Sequence, residues 1–246
     1  MFYKSIIILV ITGFAFFSCK KENLCDCVKS TGTQLSTYRE LSNFNCIYLE
    51  GKIDVYVTQG STFTVRVDAG ENLQSLIKTE LDGETLKVVN NNRCNWVRDY
   101  DKKISVYITA PHFKYIENSG LGTIETIGVI TQSEITCRIK NSGAIKLNLN
   151  VDRVGGSAHG NGDLYLSGIT KQFFYDYVGT NYLYASELTI KEYVYLHSVT
   201  LGKSYINAPQ NGLMDIIIDQ AGSIYYTGNP TTIHLTKNSK GNLIKQ

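Results

Sequence analysis

The chain has 246 residues, enough for one large domain or two small ones with a complete hydrophobic core. Its 17 tyrosines and only three prolines, with many isoleucines, valines and threonines, favour strands over helices and predict an all-β protein. The formal charge of +2 is dispersed, and basic residues never occur in runs longer than two. Binding to nucleic acid is therefore not expected, because it requires a concentrated basic surface.

The first 18 residues have the pattern of an export signal. Lys4 precedes a short apolar stretch, which cannot cross a bilayer core of about 30 Å as a helix. Ser18 and Cys19 follow as in a bacterial lipobox, although Phe16 stands where leucine is usual. The pattern predicts a lipoprotein signal peptide over residues 1–18 and lipidation of Cys19. Simple secretion with cleavage near Ser18 is the alternative.

Residues 19–36 are polar and without periodicity, as in a tether between an anchor and a domain. Two or three acyl chains would hold the domain at a membrane surface, since each buried methylene contributes about 0.8 kcal/mol. We therefore expect an exported protein of a Gram-negative bacterium, anchored by lipid in the outer membrane or on the periplasmic side of the envelope. The membrane is its first expected partner.

Five cysteines follow the predicted lipidation site. An exported protein can keep disulfides, and an odd number leaves at least one thiol unpaired. We expect a bridge from Cys27 to Cys94 that ties the tether to the loop NNNRCNW, and buried free thiols at Cys46 and Cys137. Cys25 is too close to Cys27 for an ordinary zinc site, and no cysteine or histidine pair has finger spacing elsewhere. No metal or other cofactor is expected.

From residue 37 onward, apolar and polar residues alternate with period two, which indicates half-buried strands. The segments FNCIYLEGKIDVYVTQG and TFTVRVDAG show this pattern first, and residues 68–76 allow one helical turn. In TELDGETLKVVNNN, Asp82 and Gly83 offer the positive φ angles of a tight hairpin turn. KKISVYITAP is the next predicted strand, and Pro111 ends it.

A short motif occurs twice, as Ile116-Glu-Asn-Ser-Gly120 and as Ile139-Lys-Asn-Ser-Gly143. After Pro111, glycine returns behind a short polar segment about every 20 residues, which is the period of a solenoid. These glycines are Gly120, Gly143, Gly162, Gly179, Gly202 and Gly222. A leucine-rich repeat would need a leucine scaffold, so a parallel β-helix is favoured. We expect each glycine to turn a corner with left-handed backbone angles, and Ile116 to stack on Ile139.

A similar sequence pattern occurs earlier in the chain. Residues 44–51, FNCIYLEG, and residues 113–120, FKYIENSG, share the pattern F-x-x-I-x-x-x-G. The early strands are therefore expected to belong to the same solenoid, although a separate β-sandwich over residues 36–110 is an alternative. The predicted fold is a single-stranded parallel β-helix with coils of about 20 residues, preceded by a strand-rich N-terminal portion of the same domain.

We predict one domain that is divided into three segments, with the following boundaries. They are 37–246 for the whole domain, 37–111 for the N-terminal strands, 112–230 for the regular coils and 231–246 for a C-terminal cap. A solenoid end exposes unpaired strand edges, and this tail is expected to cover one of them. Lys237, Lys240 and Lys245 would discourage pairing with another edge.

Part of the chain resembles a known family. The segment AGENLQSLIKTELDGETLKVVNNNRCNWVRDYDKKISVYITAP, with IENSGLG after it, carries the motifs ENL…I.TE…DG.TLKV, RCNWVR and K.I.VYIT.P. These motifs are similar to the putative auto-transporter adhesin, head GIN domain family, over about residues 38–228. The resemblance implies a β-helix-like fold, a cell-envelope location, commonly as a lipoprotein, and an adhesive or ligand-binding role. A lipid-binding role is also implied for similar proteins, and no catalytic residues are.

Parallel β-helices also include enzymes that cleave polysaccharides. Glycoside hydrolysis needs two carboxylates that flank one bond, and a lyase needs a calcium cluster. The strand-like acidic residues are expected on different coils, and they are Glu125, Asp163, Asp176, Glu187 and Asp215. His159, four residues before Asp163, is the best catalytic candidate, but an exposed loop histidine is the simpler interpretation. We therefore predict that the protein is not an enzyme.

The outward face of the predicted coils carries a column of tyrosines. Aligning the coils by glycine places the following residues three positions after it: Glu125, Lys146, Tyr165, Tyr182, Tyr205 and Tyr225. Since side chains alternate along a strand, this column faces outward if Ile124 and Leu164 face inward. If Leu183 and Ile206 also face inward, the alignment slips by one residue. Tyr184 and Asn207 then replace their neighbours in the column.

Stacked tyrosines form a flat, amphipathic ladder that could contact sugar rings or the apolar surface of a partner. Tyr184, Tyr193 and Tyr195 are expected to widen it. Stabilisation of the sheet by stacking alone is the simpler interpretation.

Two classes of function follow from the sequence. The first is a non-enzymatic envelope lipoprotein whose solenoid surface binds a glycan or an envelope or matrix protein. The second is a structural or lipid-binding component of the envelope, in which the flank of the solenoid is buried against another copy or a partner protein.

Overall fold

The computed structural model describes residues 30–92 and 103–246. Within these residues there is no α-helix, and one 3₁₀ turn over Gln74–Leu76 lies where the sequence predicted a helical turn. The strands are β1 (Gln34–Arg39), β2 (Cys46–Glu50), β3 (Asp54–Gln59), β4 (Thr64–Gly70), β5 (Ile77–Asp82), β6 (Thr85–Asn90), β7 (Ser105–Ala110), β8 (Tyr115–Asn118), β9 (Ile124–Thr126), β10 (Ile130–Ile139), β11 (Ile145–Gly160), β12 (Leu164–Gly179), β13 (Leu183–Thr200), β14 (Ser204–Asn207), β15 (Leu213–Ile218), β16 (Ile224–Thr227), β17 (Thr232–Lys237) and β18 (Leu243–Lys245).

The strands form a β-solenoid of about seven turns, with coils about 20 residues apart, as the sequence predicted. Two stacks of parallel strands run along it. The first stack contains β6, β2, β8, β10, β11, β12, β13, β15 and β17 in spatial order. The second contains β7, β3, β9, β11, β12, β13, β14, β16 and β18. The long strands β11 to β13 bend and contribute to both stacks.

The order of the first coils in space differs from their order in the chain. Strands β2 and β3 lie between β6 and β7 on one side and β8 and β9 on the other. Ile47 pairs with Ile116, and both Phe44 and Phe113 are buried in the same core. The repeated pattern F-x-x-I-x-x-x-G therefore marks two coils of one solenoid that pack directly against each other.

Antiparallel strands complete the N-terminal end. Strand β5 pairs antiparallel with β6, β4 with β7, and β1 with β4. The β5–β6 hairpin turns at Gly83, whose φ of +59° confirms the tight turn that the sequence predicted. Among the described residues, no helix has the length and apolar character needed to cross a membrane.

Glycine recurs in this chain because successive coils approach each other closely. A Cβ atom added at Gly143, Gly162 or Gly222 would lie 2.4, 2.2 or 2.1 Å from the carbonyl oxygen of a glycine one coil earlier. The prediction of left-handed angles was wrong for five of the six recurring glycines, because only Gly179 has a positive φ, of +123°. These corners require the absence of a Cβ atom, whatever the backbone angle.

One asparagine stands in the column of corner glycines. A Cβ atom added at Gly202 would lie 1.9 Å from the carbonyl oxygen of Asn181, whereas Gly179 stacks on Gly160. Asn181 is buried, and its side-chain amide donates to the carbonyl oxygens of Gly160 at 3.1 Å and Val178 at 2.9 Å. The alignment through Gly179 was therefore wrong by two residues in this coil.

The two Asn-Ser-Gly motifs are not equivalent. Ile116 pairs with Cys137, and Ile139 pairs with Asn118, so the predicted stacking of Ile116 on Ile139 was wrong. Asn118 is fully buried, whereas Asn141, its counterpart in the second motif, is exposed. The second motif lies two residues later in its coil than the first, because the interval of 21 residues between paired positions is shorter than the interval of 23 between the motifs.

Asn118 holds the backbone of its corner together. Its side-chain amide donates to the carbonyl oxygens of Gly122 at 2.8 Å and Ala144 at 2.9 Å, and its Oδ1 accepts from the N–H of Gly120 at 3.0 Å. One buried side chain thus bonds three backbone groups at the corner, of which the Ala144 carbonyl oxygen also accepts from the backbone N–H of Ile124 at 3.0 Å.

Residues 231–246 form one more coil. Strand β17 pairs in parallel with β15, and β18 pairs in parallel with β16. All six residues of β17 are exposed, and among the described strands none pairs with its other edge. The tail that was expected as a cap covers the preceding coil and has an open edge of its own.

Two of the cysteines lie within the described residues, and both are free thiols. Cys137 is buried, as predicted, and burial raises the pKa of its thiol to about 12. Cys46 is only half-buried, so the prediction of full burial was wrong there. Its side chain lies on the outer face of β2, because side chains alternate between the inner and the outer face of a strand. Cys19, Cys27 and Cys94 lie outside the described residues, so the lipidation and the disulfide stay predictions.

Candidate functional site

The rings of four tyrosines lie one above another on the outer face of the second stack of strands. Tyr165, Tyr184, Tyr205 and Tyr225 pair directly with one another on β12, β13, β14 and β16. Their ring centroids are 4.6, 5.8 and 5.3 Å apart, and the successive planes differ by 11°, 10° and 15°. We call these four residues the tyrosine ladder.

The ladder continues a column that runs through the solenoid. Glu125 and Lys146 precede Tyr165 in register, as the sequence predicted. Further toward the N-terminal end, the column includes Tyr56 and Tyr107, whose rings stack at 5.0 Å. The residues that directly precede the column residues from β9 to β16 are all buried, and they are Ile124, Ile145, Leu164, Leu183, Ser204 and Ile224.

The structure replaces Tyr182 by Tyr184 in the ladder. Because Asn181 occupies the place of the corner glycine, the third residue after the corner is Tyr184. Tyr182 lies beside the ladder, with its ring 6.0 Å from that of Tyr184 and nearly parallel to it. In the next coil the column keeps Tyr205, and the expected shift to Asn207 was wrong because Ser204 pairs with Leu183 and faces inward with Ile206.

Stacking determines which part of each ring is available. The inner rings have a neighbour on both faces, so the solvent side of the ladder consists of ring edges and hydroxyl groups. Lysines lie at the two ends, with Lys146 Nζ 5.5 Å from the centre of Tyr165 and Lys203 Nζ 5.9 Å from the centre of Tyr225. The ladder is therefore a row of phenol hydroxyls between two positive charges, and not an open flat surface.

The phenols of Tyr165 and Tyr184 are hydrogen-bond donors at neutral pH. Partial burial, and after it the nearby Asp163 carboxylate, raises the pKa of Tyr165 and of Tyr184. Both hydroxyls therefore stay protonated near neutral pH, where a phenol can both donate and accept.

A cleft of about 540 Å³ adjoins the half of the ladder that is formed by Tyr165 and Tyr184. It crosses four coils, from Glu125 at one end to Tyr184 and Glu187 at the other. Lys146, Asn148, Tyr165 and Ser167 lie along its walls. The lining thus combines carboxylates, an ammonium, an amide, hydroxyls and two aromatic rings, which together supply both donors and acceptors. Such convergent polar groups in a concave surface are typical of a ligand site.

Tyr193 and Tyr195 do not widen the ladder. Strand β13 bends near Ile190, and the residues after the bend pair with β15 in the first stack. Their rings contact Phe174, with centroids 5.2 and 6.5 Å away, and Arg153 lies 4.4 Å from the centre of the Phe174 ring. They form a separate aromatic patch on another side of the solenoid.

The acidic residues that the sequence offers as catalytic candidates are dispersed over the surface of the solenoid. Asp163 accepts a hydrogen bond from the backbone N–H of Tyr182 at 2.8 Å. Asp176 contacts His197 at 3.2 Å, and Asp215 accepts from the Tyr193 hydroxyl at 2.6 Å. Only Glu125 and Glu187 share the cleft.

The best histidine candidate lies at the surface. His159 is exposed near the end of β11. Among the described residues, no group of three or more histidine, cysteine, aspartate or glutamate side chains could hold a metal ion.

The sequence did not single out one buried carboxylate. Glu117 is 5% exposed and accepts hydrogen bonds from the hydroxyls of Tyr115 at 2.6 Å and Ser119 at 2.8 Å, and Lys140 Nζ lies 2.8 Å away. Burial raises the pKa of the Glu117 carboxyl, but the bonds from Lys140, Tyr115 and Ser119 together outweigh it and hold the pKa below its ordinary value. Alternation alone places Glu117 on the outer face and cannot show this network.

We expect Glu117 to make the fold sensitive to acid. Because its pKa is lower in the folded state, its contribution is complete above the unfolded value of about 4.3 and is lost as the pH falls through the folded pKa. Glu117→Gln should lower the free energy of unfolding at pH 7 by about 1–3 kcal/mol and flatten its decline on acidification. Urea unfolding across the acidic range measures both, with the exposed Glu134→Gln as control. Equal acid sensitivity of the natural chain and Glu117→Gln would contradict the assignment.

Comparison with solved structures shows the same fold in other proteins. A putative adhesin from Bacteroides fragilis NCTC 9343 has a TM-score of 0.78 and 21% identity, over 89% of this chain and 100% of that one. A putative lipid binding protein from Parabacteroides distasonis ATCC 8503 has a TM-score of 0.64 and 16% identity, over 89% of this chain and 99% of that one.

Comparisons of sequence give one distant relative and a family. Apoptosis-inducing factor 1, mitochondrial, from Dictyostelium discoideum is 26% identical over 212 residues, or 84% of this chain. The chain spans only 34% of the length of that relative. Residues 43–230 match the family described as putative auto-transporter adhesin, head GIN domain. With most of its length covered by that match, the chain belongs to the putative auto-transporter adhesin, head GIN domain family.

Proposed function

We propose that this protein is a non-enzymatic adhesin of the cell envelope and that the tyrosine ladder with its cleft binds a glycan. The observation that carries the proposal is the juxtaposition of stacked phenols with the polar cleft across four coils. Sugars present many hydroxyl groups that both donate and accept, and the cleft offers partners of both kinds. Family membership supports an adhesive role at the cell surface.

Lipid anchoring is part of the proposal. Cys19 lies eleven residues before Ser30, the first described residue, so a lipidated N-terminus would attach through a short tether. Thr31 packs against Gly70, and Asn72 donates to the carbonyl oxygen of Ser30, so the tether joins the domain at its N-terminal end. The ladder and cleft lie on the side of the solenoid, where an anchor at that end leaves them accessible.

We also propose that the protein has no enzymatic activity, because of the way its carboxylates are arranged. Asp163, Asp176 and Asp215 each have a structural partner in a different part of the surface. Glu125 and Glu187 are the only carboxylates among the residues that line the cleft, and they lie at opposite ends of it. That arrangement suits recognition along a groove better than a pair of groups acting on one bond.

Removing the rings that line the cleft tests the proposal. Residues 20–246, which keep every described residue, are applied to an array of purified glycans and matrix proteins. Tyr165→Ala with Tyr184→Ala should weaken glycan binding at least tenfold, which corresponds to about 1.4 kcal/mol. Tyr165→Phe with Tyr184→Phe keeps the stack and removes the hydroxyls, so it should weaken binding as well if the phenols are donors.

The matched control uses the second stacked pair of the same column. Tyr56→Ala with Tyr107→Ala removes two rings stacked at 5.0 Å that lie outside the cleft. Its affinity should equal that of the natural chain, and circular dichroism with thermal unfolding verifies the fold of each variant. The proposal fails if no glycan binds, or if both pairs of substitutions have the same effect.

A further inference from the structure

Both ends of the solenoid have open strand edges. In the first stack of strands, β5 is the outermost strand at the N-terminal end and β17 at the C-terminal end. In the second stack, β1 and β18 occupy the corresponding places. Each of these four strands pairs with only one other among the described strands. Exposed edges of this kind are templates for pairing with another chain unless they are protected.

The hydrophobic core is open at the same places. Leu235 pairs with the buried Ile216 and is 45% exposed, and Ile233 pairs with the buried Met214 and is 38% exposed. These side chains continue inward-facing columns of the core, yet no further coil covers them in the described structure. The C-terminal end therefore presents an apolar surface between two strand edges.

The N-terminal end presents a similar surface. Leu81 pairs with the buried Leu86 and is 40% exposed, and Leu35 pairs with the buried Ala69 and is 45% exposed. The apolar core is thus exposed to solvent at both ends of the solenoid. A second copy presents the same kind of apolar surface at each of its ends.

The C-terminal tail and the N-terminal hairpin carry charges of opposite sign. Residues 231–246 contain Lys237, Lys240 and Lys245 and no acidic residue. Lys237 and Lys245 donate to the neutral side-chain oxygens of Asn242 and Asn229, and neither forms an ion pair with another described residue.

The N-terminal hairpin carries an excess of acid. Glu80, Asp82 and Glu84 are exposed on β5 and its turn. The hairpin also carries Lys78, which is exposed, and Lys87, which forms an ion pair with Asp82, so its net charge is −1. Complementary charges favour contact between unlike ends and disfavour contact between like ends.

The outer column that contains the tyrosine ladder also reaches both ends. Tyr225 pairs with Ile244 on β18. At the other end, Tyr107 pairs with Arg66, and Arg66 pairs with Tyr38 on β1. Tyr38 is 70% exposed, and Ile244 is 37% exposed. Contact between unlike ends would cover both and continue the column from one copy into the next.

We propose that a second copy of this chain binds head to tail, with the N-terminal end of one solenoid against the C-terminal end of another. The edges of β5 and β17 meet in one stack of strands, and those of β1 and β18 meet in the other. A heterologous contact of this kind repeats without closing, so it forms linear assemblies in which coils continue across the junction. The inference does not depend on the proposed glycan ligand.

Sedimentation velocity of residues 20–246 from nanomolar to high micromolar concentration tests the assembly. The mean mass should increase with concentration and decrease with added salt, because the charges at the ends are exposed and are screened. Reversing the tail, with Lys237, Lys240 and Lys245 each changed to Glu, should weaken association at least tenfold. Reversing the head, with Glu80→Lys and Glu84→Lys, should do the same.

Combining the two sets of substitutions distinguishes the geometry. If unlike ends meet, a chain with both ends reversed regains association close to that of the natural chain. If like tails meet, reversing the tail lysines preserves the repulsion between identical ends, and reversal of the head has no effect on association. That outcome overturns the proposal, as does a monomer at every concentration. Circular dichroism of each variant shows that the fold is kept, and glycan binding by the monomeric variants is measured separately.

Discussion

Replacing Gly122 with alanine is expected to abolish stable folding. A Cβ atom at this position would lie 1.7 Å from the carbonyl oxygen and 2.4 Å from the carbonyl carbon of Ile53. Both are backbone atoms of the adjacent coil, which β3 and β9 hold in register. The coils would have to separate locally, and the loss of strand pairing and of buried contacts should exceed about 4 kcal/mol. Urea unfolding and circular dichroism of Gly122→Ala measure this loss.

Gly83→Ala is the matched control. Gly83 has a positive φ of +59° in the β5–β6 turn, but nothing lies within 4 Å of an added Cβ. Its substitution meets only the backbone penalty of left-handed angles, about 1–2 kcal/mol. If both substitutions had equal effects, backbone conformation would explain the glycines of this chain, and the close approach of coils would not.

The second large effect is expected from a core phenylalanine. Phe173 is fully buried, and its ring stacks against that of Tyr175 at 6.0 Å. Phe173→Ala would leave a cavity between two coils that are paired along their whole length, so relaxation can fill little of it. The free energy of unfolding should fall by about 3–5 kcal/mol. The midpoint of urea unfolding, at an unchanged m-value, measures this change.

Its chain neighbour is the matched control. Phe174 is half-buried on the outer face and contacts the rings of Tyr193 and Tyr195 and the guanidinium of Arg153. Phe174→Ala should cost only about 1 kcal/mol, the typical size of such ring contacts. If Phe174→Ala were the more destabilising of the two, the assignment of inner and outer faces after the bend of β12 would be incorrect.

Local patterns were sufficient to predict the class of fold. Alternation of apolar and polar residues predicts strands, and recurrence of glycine about every 20 residues predicts a solenoid. The inward positions Ile124, Ile145 and Leu164 and the outward Tyr165 follow from alternation within a single strand. Their spacing is uniform because β9, β11 and β12 pair without a shift at this point. Sequence similarity over residues 43–230 adds the family.

The composition of the ladder depended on contacts between coils. Asn181 carries no sign in the sequence that it takes the position of a corner glycine, because its role depends on a carbonyl oxygen that faces Gly202 in the next coil. That substitution moves Tyr184 into the ladder and leaves Tyr182 beside it. A count from the nearest glycine cannot detect it.

Bends within strands have the same effect on the second aromatic patch. Tyr193 and Tyr195 continue the alternation of β13, yet they lie in the other stack because the strand changes direction after Ile190. The spatial order of the first coils, in which β2 lies between β6 and β8, is also absent from the linear pattern.

The sequence by itself thus determined the strands, the repeat and the inward residues of the regular coils, because these depend on neighbours a few positions away. Tertiary structure alone decided which outward residues share a column, how Glu117 is buried and where the core is left open at Leu235 and Leu81. Those features depend on the register between coils, which close approach of backbones and bends far apart in the chain establish together.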